Sequence, residues 1–251
     1  MHPFLRSLIL KNRGLVTECL RRRSSLTSEL FENMDKKATW DRFYAETNRD
    51  RKDFENFDWF FGFSSVRDII LPLLQANTPS DQPLRVLDLG CGTSALGPSI
   101  YRHCPLPVHI TCADISPVAV QLMQAHARAS TPEPLSPSSR LEFIELDCTR
   151  LHEHYRSSSV DLIVDKGTID ALLRSRDGKE KAGLMLRQCL GALRRSGSMV
   201  QFSDEDPDAR LLWLETEAQE RGVMLADIGV QDVGETYYCY HLSPRSVIEQ
   251  R

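Results

Sequence analysis

The sequence predicts an α/β fold: a mostly parallel sheet with helices on both faces, closed by a strand that runs back antiparallel. Three observations carry this. From residue 84 onward, apolar runs of strand length alternate with stretches of helical length and spacing. The first run opens into a turn with glycines at 90 and 92, and a helix-like stretch follows. The last two runs are joined by a short polar link, Gln231 to Glu235, which suits a hairpin and is too short for a parallel crossover.

Each element follows from its local pattern. Residues 35–76 are partly helical and aromatic-rich, with Trp40, Phe43, Tyr44, Phe54, Phe57, Trp59, Phe60, Phe61 and Phe63. Ile69–Leu74 reads as a helix, and Asn77–Pro83 as the loop after it. Strand Leu84–Leu89 then precedes helix Ser94–His103, and strand Val108–Ala113 precedes helix Pro117–Arg128. The Pro/Ser stretch Ser130–Ser139 is a loop before strand Leu141–Leu146. Strand Val160–Val164 leads to a long helix near Lys179–Arg194, and Gly197 opens strand Ser198–Phe202. A helix over Asp208–Glu220 leads to strands near Met224–Val230 and Thr236–Leu242. In such sheets ligands sit beyond the carboxyl ends of the strands, where the strand order reverses. The loops after each strand are therefore expected to hold the chemistry.

The chain of 251 residues is enough for one sizeable core with short extensions. A net charge of -4 gives no global case for nucleic acid. No apolar stretch approaches the ~20 residues needed to span a bilayer, so no membrane insertion is expected. The seven cysteines include no C-x-x-C pair and read as reduced thiols. His152 and His154 lack cysteines in any zinc-like arrangement, and no metal is expected. Residues 1–28 are different: Arg6, Lys11, Arg13, Arg21, Arg22 and Arg23 stand against Glu18, with Leu5, Leu8, Ile9 and Leu15 interspersed. That is the composition of a mitochondrial transit peptide, although a basic tail has the same residues.

Gly90-Cys-Gly-Thr-Ser-Ala95 fits a loose G-x-G-x-x-[GA] pattern shared by several adenosine-binding enzymes. The next strand leads to Asp114, whose carboxylate can accept hydrogen bonds from ribose hydroxyls. Both NAD and S-adenosyl-L-methionine fit this much. Three features favour the second. Asp88 lies inside the strand, where it suits an ammonium-bearing cofactor and would repel a pyrophosphate. Asp147, after the third strand, offers an acceptor for an adenine amino group. The terminal hairpin is uncommon in nucleotide dehydrogenase domains.

Val86-Leu-Asp-Leu-Gly-Cys-Gly-Thr-Ser94, Asp114-Ile-Ser-Pro117 and Asp147 together resemble the seven-strand, Rossmann-like S-adenosylmethionine-dependent methyltransferases. Asp165-Lys-Gly-Thr-Ile-Asp-Ala171 resembles the D-K-G-T-x-D-A motif of a lysine methyltransferase subgroup that includes enzymes acting on elongation factors. Trp40-Asp-Arg-Phe-Tyr44 resembles that subgroup's W-D-x-x-Y motif. Phe57–Gly62 and Gln201–Pro207 are similar to a mitochondrial branch acting on citrate synthase. The resemblance covers most of residues 38–242. The Pro/Ser insertion before Leu141 departs from it, as does Ile169, where relatives can carry another apolar or aromatic residue.

The resemblance implies a transit peptide at 1–28, a lid segment at 35–76 and a methyltransferase domain at 84–243. It implies a protein-lysine N-methyltransferase of the mitochondrial matrix, using S-adenosyl-L-methionine on citrate synthase as a monomer. Gly90 and Gly92 are expected to cradle the cofactor's amino-acid part, with Asp88 capping the loop and orienting the site. Ser116 is the better N-cap for the helix at Pro117, which frees Asp114 for ribose. Asp147 reads almost as well as an ordinary loop aspartate. Asp165, closing the fourth strand, is the expected catalytic residue, holding the incoming amine in line. Thr168 and Asp170 read as second choices that cap the following helix. Trp40, Tyr44, Trp59 and Gly62 form the expected lid, Gly62 by allowing close approach; plain core packing is the alternative for the rings. Asp204–Asp208 reads equally as a solvated helix cap and as an attractor of a basic surface. A small-molecule methyltransferase, a catalytically silent methyltransferase-like protein and a nicotinamide oxidoreductase are the alternatives.

Overall fold

The computed structural model describes residues 30, 32–49, 54–76, 82–130, 133–220 and 225–244. The candidate transit peptide, residues 1–28, lies outside them. Seven strands form one sheet: β1 Leu84–Leu89, β2 Val108–Asp114, β3 Arg140–Glu145, β4 Val160–Lys166, β5 Leu193–Ser203, β6 Leu225–Val233 and β7 Tyr237–Pro244. Their spatial order is β3-β2-β1-β4-β5-β7-β6. The first five pair in parallel, and β7 is antiparallel to both of its neighbours. The strand order reverses at β1, where the connection onward to β2 and the one returning to β4 run in opposite directions and leave a crevice at the carboxyl ends.

Strand parity sends alternate residues to two cores. The helices are α1 Lys37–Asn48, α2 Arg67–Ala76, α3 Leu96–His103, α4 Pro117–Ser130, α5 Thr168–Arg174, α6 Lys179–Ala192 and α7 Pro207–Glu220; Val86, Ile110, Cys112, Val164 and Phe202 pack on one face of the sheet with α2, α3 and α4. On that face the buried helical residues are Ile70 and Leu74 of α2, Leu96 and Ile100 of α3, and Val120 and Met123 of α4. Leu87, Leu89, Ile163 and Met199 pack on the opposite face against Leu172 of α5, Met185 and Leu186 of α6, and Leu214 of α7. Burying each such side chain contributes about 1.5–3 kcal/mol. Among the described residues no helix is long and apolar enough to cross a membrane.

Two boundaries differ from the sequence expectation. Helix α6 stops at Ala192, and β5 begins at Leu193 rather than Ser198. Leu193 pairs with Val160, the register shifts before Leu162, and Arg194 is drawn onto Asp161 at 2.8 Å. The short helix α5 also intervenes directly after β4, before the long helix that the sequence pattern showed.

Candidate active site

The glycine turn is held by its own strand neighbours. Gly90 and Cys91 N–H groups donate to the Ala113 carbonyl at 2.8 and 3.0 Å, and Gly92 N–H donates to Asp114 Oδ2 at 2.8 Å. Gly90 and Gly92 have φ of +69° and +54°, a region costly for side-chain-bearing residues. A Cβ on Gly90 would lie 1.9 Å from Thr168 Oγ1, and one on Gly92 2.3 Å from the Tyr44 hydroxyl. Farther on, Ser94 N–H donates to the Cys91 carbonyl, Leu96 N–H to Ser94 Oγ and Gly97 N–H to Asp88 Oδ2. With these N–H groups engaged internally, the turn is poorly suited to cradle a pyrophosphate, which argues against the nicotinamide reading.

A pocket opens at the carboxyl ends of β1, β2 and β4. Leu89, Gly90, Asp114 and Ile115 line it from the β1 and β2 ends, and Leu146 and Cys148 from the loop after β3. Lys166, Gly167, Thr168, Ala171 and Leu172 line it from the end of β4 and α5. Met34, Asp35, Trp40, Tyr44, Trp59 and Phe60 complete the wall from the N-terminal segment. The fold therefore brings together Gly90, Asp114, Trp40, Tyr44 and Trp59, five of the residues singled out from sequence.

Asp114 is buried but lines the pocket; its second oxygen accepts from Ser116 N–H at 2.8 Å. Burial pushes its pKa up to about 6, against the two backbone donors that favour the charged form. Ser116 takes the cap of α4, accepting from Ala119 N–H at 3.4 Å, while its hydroxyl donates to Asp41 Oδ1 of α1 at 2.6 Å. That bond ties the lid helix to the β2 edge.

The other three acids lie outside the pocket lining. Asp88 shares the strand face of Val86, so its carboxylate points to α3 and accepts the Gly97 N–H at 3.1 Å. Burial pushes it up to about 7, with the Lys166 charge and the Gly97 N–H opposing. Asp165 is fully buried. It accepts from Thr168 N–H at 2.8 Å, Ile169 N–H at 3.4 Å and Gln201 Nε2 at 3.1 Å. Burial, then repulsion by Asp170, pushes its pKa up to about 6. A carboxylate so engaged shapes the Lys166–Thr168 turn rather than meeting an incoming amine directly. Asp147 caps the 3-10 turn Cys148–Glu153 by accepting from Thr149 N–H and Oγ1, the loop-aspartate alternative.

Gly62 does not supply the close backbone approach expected of it. A Cβ there would meet nothing nearer than Asp58 Oδ2 at 3.9 Å, so no close backbone approach depends on it. The close approach is instead at Gly167, φ +89°, where an added Cβ would lie 3.1 Å from the Phe60 ring. Phe60 itself has φ +67°, an uncommon conformation for a bulky residue and a mark of a constrained segment.

The lid rings form a connected cluster. Trp40 stacks on Tyr44 at 6.0 Å and meets Trp59 edge-on at 6.0 Å, and Phe57 meets Trp59 at 5.0 Å. Lys166 anchors this cluster: its Nζ donates to Asp58 Oδ1 at 2.6 Å and to the Phe61 carbonyl at 3.0 Å. Asp58 also accepts from the Ser94 hydroxyl of the glycine turn. Packing and pocket lining are thus the same rings in two roles. Of the remaining candidates, Thr168 donates to the Leu89 carbonyl at 3.0 Å, and Asp170 is buried against Arg210 at 2.8 Å. In the acidic run, Asp204 pairs with Arg174 and Asp206 caps α7, whereas Glu205 and Asp208 are exposed.

An adenosine-bearing sulfonium cofactor fits this donor set: a pocket-lining carboxylate at the β2 end, apolar Ile115 and Leu146 beside it, and no pyrophosphate cradle. The sheet order and this crevice define a methyltransferase of the Rossmann-like class, and a family model of the methyltransferase domain matches residues 80–205. The magnesium protoporphyrin IX methyltransferase of Synechocystis PCC 6803, solved with bound S-adenosylmethionine, shares the fold. Its TM-score is 0.53 at 19% identity, covering 84% of this chain and 97% of that one. The mitochondrial citrate synthase-lysine N-methyltransferase of Danio rerio is 58% identical over 228 residues, 89% of each chain. The Homo sapiens protein of that description is 40% identical over 80% of this chain and 83% of its own length. The chain belongs to this citrate synthase-lysine N-methyltransferase family.

Proposed function

We infer that this protein is a protein-lysine N-methyltransferase that uses S-adenosyl-L-methionine to methylate a lysine of citrate synthase in the mitochondrial matrix. The observation that carries the reading is the composite pocket, in which a carboxylate at the β2 end faces the aromatic wall of the N-terminal segment. The 58% identity to the Danio rerio enzyme supports the substrate and the compartment. The basic, acid-poor composition of residues 1–28 supports delivery to mitochondria.

When bound, S-adenosyl-L-methionine supplies an electrophilic methyl group on a sulfonium. Asp114, the Gly90–Gly92 turn, Ile115 and Leu146 would hold it. Asp88 and Asp165 act from behind the lining, fixing the α3 and α5 N-termini that carry the two glycine-bearing turns. Trp40, Tyr44, Trp59 and Phe60 exclude water. A lysine amine, with a pKa of about 10.4 in water, is mostly protonated at neutral pH. Desolvation against these rings disfavours the ammonium form and helps the amine lose its proton to solvent before transfer. Holding the nitrogen in line then supplies much of the acceleration. Asp147 and Gly62 serve the surrounding loops.

The test uses the full chain, purified citrate synthase and S-adenosylmethionine labelled in the methyl group. Label on a citrate synthase lysine supports the reading. Label confined to small molecules points instead to a small-molecule methyltransferase. Binding of S-adenosylhomocysteine with no transfer to either substrate points to a silent binding protein.

A further inference from the structure

The N-terminal segment contributes a carboxylate that no sequence motif flagged. Asp35 lines the pocket and is 7% exposed. It is held on three sides. Its N–H donates to Ser175 Oγ at 2.8 Å, its carbonyl accepts from Lys181 Nζ at 2.9 Å, and its Oδ2 accepts from the same ammonium at 2.7 Å. The preceding carbonyl, Met34 O, accepts from the Trp40 indole N–H at 2.7 Å, which fixes the turn to the lid helix. Among the described residues its other carboxylate oxygen, Oδ1, is buried and has no hydrogen-bond partner. A buried acceptor without a donor is unfavourable, and for a charged group more so.

The surroundings define what would complete it. Met34, Trp40, Trp59, Phe60, Ala171 and Leu172 share the pocket wall with Asp35. Apolar and aromatic faces suit a methylene chain, and the rings attract a cationic head. Asp35 is anchored on α5 and α6, which follow β4, whereas Asp114 ends β2; in the sheet β1 lies between those two strands. The two pocket acids therefore belong to opposite sides of the crevice. Asp114 lies at the β2 end, and Asp35 lies across the crevice from it, in the wall that the N-terminal segment makes.

We propose that Asp35 receives the ε-amino group of the substrate lysine, its Oδ1 accepting one N–H and so fixing the nitrogen for transfer. This rests on the lysine methyltransferase reading above. Lys181 holds Asp35 by its other oxygen and orients it. Its side chain is 44% exposed, so it can be changed without emptying the pocket wall.

The experiment compares the full chain with its Asp35→Asn and Lys181→Met variants. Steady-state methylation of citrate synthase gives kcat and KM; calorimetry gives S-adenosylhomocysteine affinity. Saturation-transfer NMR of n-butylammonium against the product-loaded protein reads the amine site without turnover. Asp35→Asn is expected to lower kcat/KM for citrate synthase roughly ten- to hundredfold, the scale of a charge-assisted hydrogen bond. It should abolish the n-butylammonium signal while changing product affinity by less than about twofold, since no shared partner links Asp35 to Asp114. Lys181→Met keeps the carboxylate itself, so it should weaken but not abolish the n-butylammonium signal, while kcat/KM falls because Asp35, with its side chain 3% exposed, loses its counter-charge. Product affinity falling in parallel would assign Asp35 to the cofactor and overturn the proposal. So would a Lys181→Met variant that abolishes the n-butylammonium signal as completely as Asp35→Asn, which would make the acid structural. If Asp35→Asn does not fold, Asp35→Glu keeps the charge but shifts it, and an unchanged amine signal there counts against the assignment. Failure of the wild-type protein to methylate citrate synthase would sink the substrate reading alone, since the amine signal is measured independently.

Discussion

The two walls of the pocket are built by different physics. On the sheet side, the Gly90–Gly92 turn, Asp114 and Asp88 are locked by hydrogen bonds from neighbouring backbone, and their positions follow from strand register. On the lid side, Trp40, Tyr44, Trp59 and Phe60 are held mainly by ring packing, with the Lys166–Asp58 and Lys181–Asp35 pairs as ionic anchors. The first wall tolerates almost no change in backbone conformation. The second is adaptable in shape but depends on a few long-range contacts. A methyltransferase needs both: a fixed seat for a cofactor common to the whole fold class, and a separable surface that determines which amine is admitted.

The comparison can be broken most sharply at Gly90. Gly90→Ala puts a Cβ into Thr168 at a positive φ. The expected result is a loss of S-adenosylhomocysteine binding of more than about a hundredfold by calorimetry, or a protein destabilised by several kcal/mol, roughly 2–4 from clash and strain together. Retained affinity would mean that the turn is not the cofactor seat. Asp114→Asn comes next. Losing a charged acceptor in a desolvated site should weaken product affinity by about ten- to hundredfold with the thermal midpoint little changed.

Lys166→Met addresses the lid wall. It removes the anchor of a pair whose side chains are 6% and 23% exposed. The cost should be about 1–3 kcal/mol in chemical denaturation, less than a fully buried pair, because Asp58 can regain water. KM for the protein substrate should rise more than the product Kd; equal changes would show that the two walls are not separable.

Proton linkage gives a finer test. Burial raises Asp88 from 3.8 to about 7 in the folded protein. Between those values the folded state holds more protons than the unfolded one. Stability from this group is therefore present at low pH, is lost as pH rises through the window, and levels off above about 7. Asp88→Asn removes that slope. The midpoint difference, variant minus wild type, should become more positive from pH 5 to pH 8 in thermal melts; a flat difference would show that Asp88 is ionised throughout. By the same sign, Asp114 gains a proton below about 6, and product affinity should fall there. Gly62→Ala, whose Cβ would make only an ordinary contact with Asp58 Oδ2 at 3.9 Å, is expected to leave melting and kinetics within error.

What could be read from the sequence follows the same division. The strand–turn–helix pattern, the two glycines and Asp114 are local signals, since each acts within a few residues of its motif. Trp40, Tyr44 and Trp59 were legible through resemblance, and the structure gives them packing and lining roles together. Asp88 and Asp165 were read as a cofactor-binding and a catalytic acid, but the direction of each carboxylate depends on strand parity and on which helix starts beside it. A carboxylate two residues from Val86 on the same strand face is aimed at α3, whatever its motif suggests. Asp35 left no trace, and Phe60 was legible as one more aromatic of the lid segment but not as the partner of Gly167. The Asp35 ion pair joins positions 146 apart, and the Phe60–Gly167 contact depends on a left-handed residue in a loop. Neither spacing nor periodicity encodes such pairings.

The most direct test of the central claim is mass spectrometry of citrate synthase incubated with the full chain and S-adenosylmethionine. The account predicts a gain of whole methyl units confined to a lysine, dependent on the cofactor and suppressed by Asp114→Asn. Unmodified citrate synthase alongside a protein that binds S-adenosylhomocysteine normally would contradict it.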